Sequence, residues 1–198
     1  MIFPYGARET EYLSRRDPAL GAWIDRIGHV SRACIPDLFA ALVNAIAAQQ
    51  VSTRAYETVW ARILARGLDR PENALEGSMD GIGLGPRKEK WIRSIAQRAL
   101  DGTLEKEAFS DLDDEASISR LMELPGVGRW TAQMLLIFCL NRMDVLSPGD
   151  FGVRRGLTML HGEGALRAFD HWRQTYSPCG SVASIYLWEI AGGKHIEI

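Results

Sequence analysis

Apolar residues recur every three or four positions along most of this chain, and glycine or proline interrupts the recurrence between most segments. That spacing lines one face of an α-helix. It predicts helices near 18–29, 36–48, 52–66, 87–100, 113–123, 130–141, 151–160, 164–174 and 180–191. Ile118, Leu121 and Met122 mark one such face, and Ala132, Leu135, Leu136, Cys139 and Leu140 mark another. There is no convincing run of alternating apolar and polar residues, and no motif repeats at a fixed period. The predicted fold class is all-α.

Between segments 113–123 and 130–141 stands Leu124-Pro125-Gly126-Val127-Gly128-Arg129-Trp130-Thr131-Ala132. Pro125 stops the preceding helix, while Gly126 and Gly128 are both able to take positive φ, let another backbone approach and leave their N–H groups exposed. With the N–H groups of the helix that starts near Trp130, such a hairpin forms a concave anion site. An ordinary corner between two helices would use the same string. A second cluster, Gly81-Ile82-Gly83-Leu84-Gly85, is not a dinucleotide fingerprint: residues 75–80 supply no preceding strand, and no Walker Lys-Ser/Thr pair follows. It reads as a tight turn into the helix bearing Trp91, Ile92, Ile95 and Ala96, with phosphate contact by Arg87 or Lys88 as the alternative.

Downstream of the hairpin lies Leu146-Ser147-Pro148-Gly149-Asp150-Phe151. Together with Ala47-Ala48-Gln49-Gln50-Val51-Ser52, Gly83-Leu84-Gly85-Pro86-Arg87-Lys88 and Ser181-Val182-Ala183-Ser184-Ile185-Tyr186-Leu187-Trp188, these motifs stand in a distinctive order. In that order, over roughly residues 35–190, the chain resembles the helix-hairpin-helix DNA glycosylases, most closely their 3-methyladenine DNA glycosylase II branch. The resemblance implies one glycosylase unit over 1–198, built as two helical lobes with a cleft between them. One lobe would comprise about 34–142 and the other about 1–33 plus 143–198, with the helix-hairpin-helix at about 113–141. Larger members carry an N-terminal β-domain for which this chain is too short.

The same resemblance implies roles residue by residue. The hairpin would grip the DNA backbone through Gly126, Val127, Gly128, Arg129 and Thr131, joined by Arg87 and Lys88 from the middle loop. Asp150 would lie in the active-site cleft; read from its neighbours alone, Asp after Pro-Gly and before a helical segment is a favoured N-cap, and the two roles are compatible. Trp130 stands where bifunctional relatives place the lysine that forms a Schiff base, so the resemblance points to a monofunctional enzyme. Trp130, Trp188, Phe151 and Met134 would line the base pocket, although either tryptophan taken alone can equally be core. Gln50, or else Gln49, would fill the gap left by an extruded nucleotide; without the resemblance they read as a solvated helix end. No redox cofactor or catalytic metal is implied, while the hairpin at 124–129 can hold a structural monovalent cation through backbone carbonyls.

Composition allows this reading. The chain has 198 residues, 46% of them hydrophobic, enough for a real core. No apolar run reaches the roughly 18 residues of a spanning helix, and the start, Met1-Ile2-Phe3-Pro4-Tyr5-Gly6, lacks a signal peptide's regions. The expectation is a soluble intracellular protein, cytoplasmic with the nucleoid in a bacterium and nuclear in a eukaryote. Cys34, Cys139 and Cys179 are too few for the four-cysteine iron–sulfur cluster of the endonuclease III branch, and a disulfide framework is not expected. His29, His161, His171 and His195 show no metal-ligand spacing and read as surface or capping residues. Lys and Arg total 23 against 25 for Asp and Glu, a net charge of −2, which argues mildly against nucleic acid. Acidic residues concentrate within 101–115, where Asp111, Asp113 and Asp114 form a solvated connection that also begins a helix. Arg87, Lys88, Lys90, Arg93, Arg129, Arg154 and Arg155 collect elsewhere, either as wet helix faces or as a local basic footprint.

The expected function is monofunctional, hydrolytic excision of alkylated purines of the 3-methyladenine type in base excision repair. The expected partner is double-stranded DNA with damaged bases, with no membrane, no obligate protein partner and a monomeric state. The alternatives are a bifunctional oxidised-base glycosylase/lyase, disfavoured by Trp130, and a non-catalytic helix-hairpin-helix module that only binds DNA, disfavoured by Asp150 and the pocket aromatics.

Overall fold

The computed structural model describes residues 1–192. Among them the secondary structure is helical: α1 (Ala7–Arg16), α2 (Pro18–Ile27), α3 (Leu38–Ala48), α4 (Thr53–Ala65), α5 (Pro71–Glu76), α6 (Pro86–Leu100), α7 (Asp114–Met122), α8 (Arg129–Phe138), α9 (Phe151–His161), α10 (Phe169–Tyr176) and α11 (Gly180–Ile190). Two 3₁₀ turns, Lys106–Phe109 and Glu163–Ala168, and one isolated bridge between Ile2 and Ala33 complete the regular structure. None of these helices is long and apolar enough to cross a membrane. The described residues divide into two compact units, one of 1–34 with 141–192, the other of 35–140.

The second unit is built on α3. Every residue from Leu38 to Ala47 is buried, which an almost wholly apolar sequence permits, and Asp37 starts the helix by accepting from Ala40 N at 2.8 Å. Residues Thr131 to Phe138 of α8 are buried as well. Asp113 caps α7 through Ala116 N at 2.8 Å, so the acidic stretch does open that helix.

The first unit joins both ends of the sequence. Asp17 caps α2 by accepting from Ala19 N and Leu20 N, and its other oxygen accepts from Tyr176 Oη at 2.7 Å and lies 2.9 Å from His161 Nε2. Burial, foremost, and the bond to Asp17 raise the Tyr176 hydroxyl well above the usual tyrosine range. His161 is stacked on Trp172 at 3.8 Å, so it is a packing residue of the unit rather than a surface one. His29 and His171 are exposed, as expected, the first stacked on Tyr5 at 4.6 Å and the second edge-on to Trp172; His195 lies outside the described residues.

The predicted helices omit α1 and α5, for a physical reason. Leu13 is the one residue of α1 that is buried, so its sequence carries almost no apolar stripe, and α5 spans six residues with only Ala74 inside. Segment 164–174 is a 3₁₀ turn followed by α10, the break falling at Ala168. Cys34, Cys139 and Cys179 are buried, and no disulfide links them.

Candidate active site

In the first unit, α11 holds the chain that leads to Asp150. Ser181 Oγ donates to Arg142 O at 2.6 Å and accepts from Val145 N at 3.0 Å, Ser184 Oγ donates to Val145 O at 3.0 Å, and Gly180 N donates to Asp144 Oδ1 at 3.1 Å. Arg154 Nη1 donates to Pro148 O at 3.3 Å farther along the same loop. Asp150 is 2% exposed and sits at the N-cap of α9. Its Oδ1 accepts from Val153 N at 2.7 Å and from Trp188 Nε1 at 2.9 Å. A carboxylate at the start of a helix is favoured by the helix dipole, so this arrangement fixes a negative charge in one place. Phe151, the first residue of α9, is 69% exposed.

Close approach of α9 and α11 makes the Trp188 bond possible. A Cβ on Gly152 would lie 2.6 Å from Trp188 Cδ1, and one on Gly156 would lie 2.9 Å from Leu187 C and nearer still to Leu187 O. Glycine at these positions, one turn apart, lets α9 meet the α11 backbone at Gly156 and seat the Trp188 ring at Gly152. Trp188 is 3% exposed, and its indole N–H donates to the Asp150 carboxylate and so helps to orient it.

The hairpin and its neighbours belong to the second unit. Gly126 takes φ +83°, and a Cβ there would fall 2.8 Å from Trp91 Cδ2, so the turn rests directly on the Trp91 indole. Arg87 stacks its guanidinium over the same ring at 4.7 Å. Gly128 departs from expectation: its φ is −93° with ψ 173°, extended backbone that any residue adopts, and the space where its Cβ would point is open. It is the N-cap of α8 and carries no side-chain cap, which leaves the helix start available for an anion. Val127 and Thr131 are buried, and the Val127 N–H is already donated to Leu124 O at 3.2 Å.

Two cations expected on the backbone are engaged elsewhere. Lys88 Nζ donates to Ala47 O at 3.1 Å and Gln49 O at 2.6 Å, capping the end of α3, and burial lowers its ammonium from the usual lysine range. Arg129 Nη2 lies 2.6 Å and 2.7 Å from the two oxygens of Glu115. Arg93 spends its guanidinium on the end of α5, through Ala74 O, Leu75 O and Gly77 O. Gln49 Nε2 donates to Gly126 O at 2.9 Å, whereas Gln50 is exposed with φ +57°. A left-handed non-glycine residue costs roughly 1–2 kcal/mol, and such strain is retained where neighbouring structure imposes it.

Of the other pocket candidates, Trp130 is 40% exposed on the first turn of α8, while Met134, one turn on, is 2% exposed. Sequence reasoning passed over Trp91, Gly152 and Gly156. The last two carry a legible signal, glycines four residues apart on one helix; Trp91 carries none without the turn above it.

The chain matches the family model of the HhH-GPD superfamily of base excision DNA repair proteins over residues 43–174. DNA-3-methyladenine glycosylase 1 of Schizosaccharomyces pombe is 31% identical over 160 residues, spanning 75% of this chain and 70% of that protein. The structure of a DNA-3-methyladenine glycosidase from Bacillus halodurans superposes with a TM-score of 0.83 at 29% identity, covering 97% of this chain and 93% of that one. The S. pombe 3-methyladenine DNA glycosylase solved in complex with abasic DNA superposes with a TM-score of 0.81 at 27% identity, covering 92% and 96%.

Proposed function

This chain belongs to the HhH-GPD superfamily of base excision DNA repair proteins, and we propose that it is a monofunctional DNA glycosylase that extrudes an alkylated purine of the 3-methyladenine type from double-stranded DNA and hydrolyses its bond to deoxyribose. The observation that carries this reading is Asp150, a buried carboxylate held by a helix start and by an indole N–H. Breaking an N-glycosidic bond builds positive charge on the sugar, and a fixed anion in a water-poor site stabilises that charge without having to reorganise. A base already cationic through alkylation departs neutral, so no strong general acid is needed. Water is the nucleophile, and the product is an abasic strand.

The hairpin supplies the backbone grip: the uncapped start of α8 at Gly128 and the Arg87 guanidinium face phosphates, while the exposed Gln50 fills the gap left by the extruded nucleotide. No catalytic metal or redox cofactor enters the reaction. A structural monovalent cation suits the hairpin, where residues 124–129 supply uncharged carbonyl oxygens; Leu124 O accepts from Val127 N at 3.2 Å and has a second acceptor site. Held there, such an ion adds positive charge beside the phosphate-facing N–H groups. The protein acts as an intracellular monomer on DNA without an obligate protein partner.

Incubation with randomly methylated duplex DNA, followed by identification of the free bases, tests the reading. Release of 3-methyladenine from an uncut strand is expected; no base release would overturn it. Borohydride is expected to trap no covalent protein–DNA complex, because Trp130 cannot form the imine that a lysine would. A trapped complex would make the enzyme a lyase.

Trp130 also accounts for the preference for charged bases. Its ring is 40% exposed, and an electron-rich indole attracts a cationic alkylpurine by roughly 1 kcal/mol beyond stacking. Trp130→Ala is expected to lower excision of 3-methyladenine and 7-methylguanine several-fold more than excision of neutral hypoxanthine, measured under single turnover. Equal losses on all three would assign the ring to stacking alone.

A further inference from the structure

The turn that bears Gln50, the hairpin and α6 are joined by a closed set of contacts within the second unit. Lys88, in the first turn of α6, donates to Ala47 O and Gln49 O, the last carbonyls before the turn. Gln49 then reaches 77 residues along the chain to donate to Gly126 O at 2.9 Å. Gly126 in its turn rests on Trp91, which follows Lys88 by three positions and so shares its side of α6. Immediately after the anchored Gln49 the chain passes through Gln50, exposed and left-handed at φ +57°. A helix end with no continuing turn leaves carbonyls that need donors, and an ammonium aimed at two of them fixes the direction in which the chain departs.

We propose that Lys88 is a positioning residue that locks the Gln50 turn to the hairpin, so that gripping the backbone and filling the vacated space in the duplex occur as one rigid act. The proposal rests on the glycosylase reading for the identity of its ligand, a duplex that lacks one base. It replaces the role expected for this lysine as a phosphate contact, and its half-buried, desolvated ammonium is consistent with the change.

The test compares binding of the full chain to two duplexes, one undamaged and one with a tetrahydrofuran abasic analogue, at several salt concentrations, so that no catalysis is required. For Lys88→Met the preference for the abasic duplex is expected to fall about tenfold, while affinity for undamaged DNA and its salt dependence stay unchanged. Lys88→Arg, which can still donate to both carbonyls, is expected to restore most of the preference. In a Gln50→Ala background, Lys88→Met should add no further loss, since the residue it positions is already gone. Gln49→Met, which removes the donor to Gly126 O without adding charge, should give the same loss and serves if Lys88→Met does not fold. Equal weakening of both duplexes with a salt slope reduced by about one would make Lys88 a phosphate contact and overturn the proposal. An unchanged preference in both Lys88→Met and Gln49→Met would also overturn it. Absence of base release by the unaltered protein would sink the glycosylase reading and leave the binding ratio to decide this one.

Discussion

Asp150→Asn is expected to lower single-turnover base release by at least ~10²-fold while affinity for a duplex with an abasic analogue changes little. The substitution separates charge from architecture. An asparagine carbonyl can still accept from Val153 N and Trp188 Nε1, the two bonds that Oδ1 accepts now, and asparagine is as good an N-cap as aspartate. What disappears is the negative charge. Excision at the unaltered rate would remove Asp150 from the chemistry; a large drop in melting temperature would leave it only as the cap of α9.

Gly156→Ala is expected to be the most damaging single methyl group in the first unit. The added carbon would lie 2.9 Å from Leu187 C and Cα and closer to Leu187 O, and both sides of that clash are helix backbone that cannot rotate away. Forcing the helices apart costs about 3 kcal/mol, or on the order of 8 °C in Tm for a chain of this size. Gly164→Ala, where nothing lies within 4 Å of the new carbon, is the control and should stay within about 0.5 kcal/mol. Because Trp188 follows Leu187 directly, Gly156→Ala should also slow base release at temperatures where the protein remains folded. Parallel thermal melts and excision rates check both effects; a variant as stable as the control would refute the tight crossing of α9 and α11.

A helix with one apolar face, such as α6 with Ile92, Ile95 and Ala96 buried, was legible because burial of one face leaves a period in the sequence, and α1 was not because Leu13 is all it buries. Asp150 as an N-cap was legible for a similar reason, since capping is set by residues within one turn. The direction in which Trp188 points was not. It depends on how closely α11 approaches α9, a distance set by Gly152 and Gly156 and by no property of the tryptophan. Lys88 shows the same limit from the other side: a lysine at the start of a helix reads as a wet cation, and only the position of the α3 carbonyls turns it inward. Gln49 donates to Gly126 O, a partner 77 residues along the chain that no local pattern announces.

The two units also differ in how much of the chain must exist before each can close. The one beginning at Ile35 draws its core from a continuous stretch, and its helices can pack as soon as Leu140 has been made. The other needs both ends: Arg16 Nε donates to Thr175 O across 159 residues, Tyr176 Oη to Asp17 across another 159, and Tyr186 Oη to Gly28 O across 158. Closing spans of that length is slow and carries a large entropic cost, so the early helices α1 and α2 must wait for α10 and α11. During synthesis the unit that holds the hairpin is therefore complete before Asp150 can meet Trp188, which arrives only with α11.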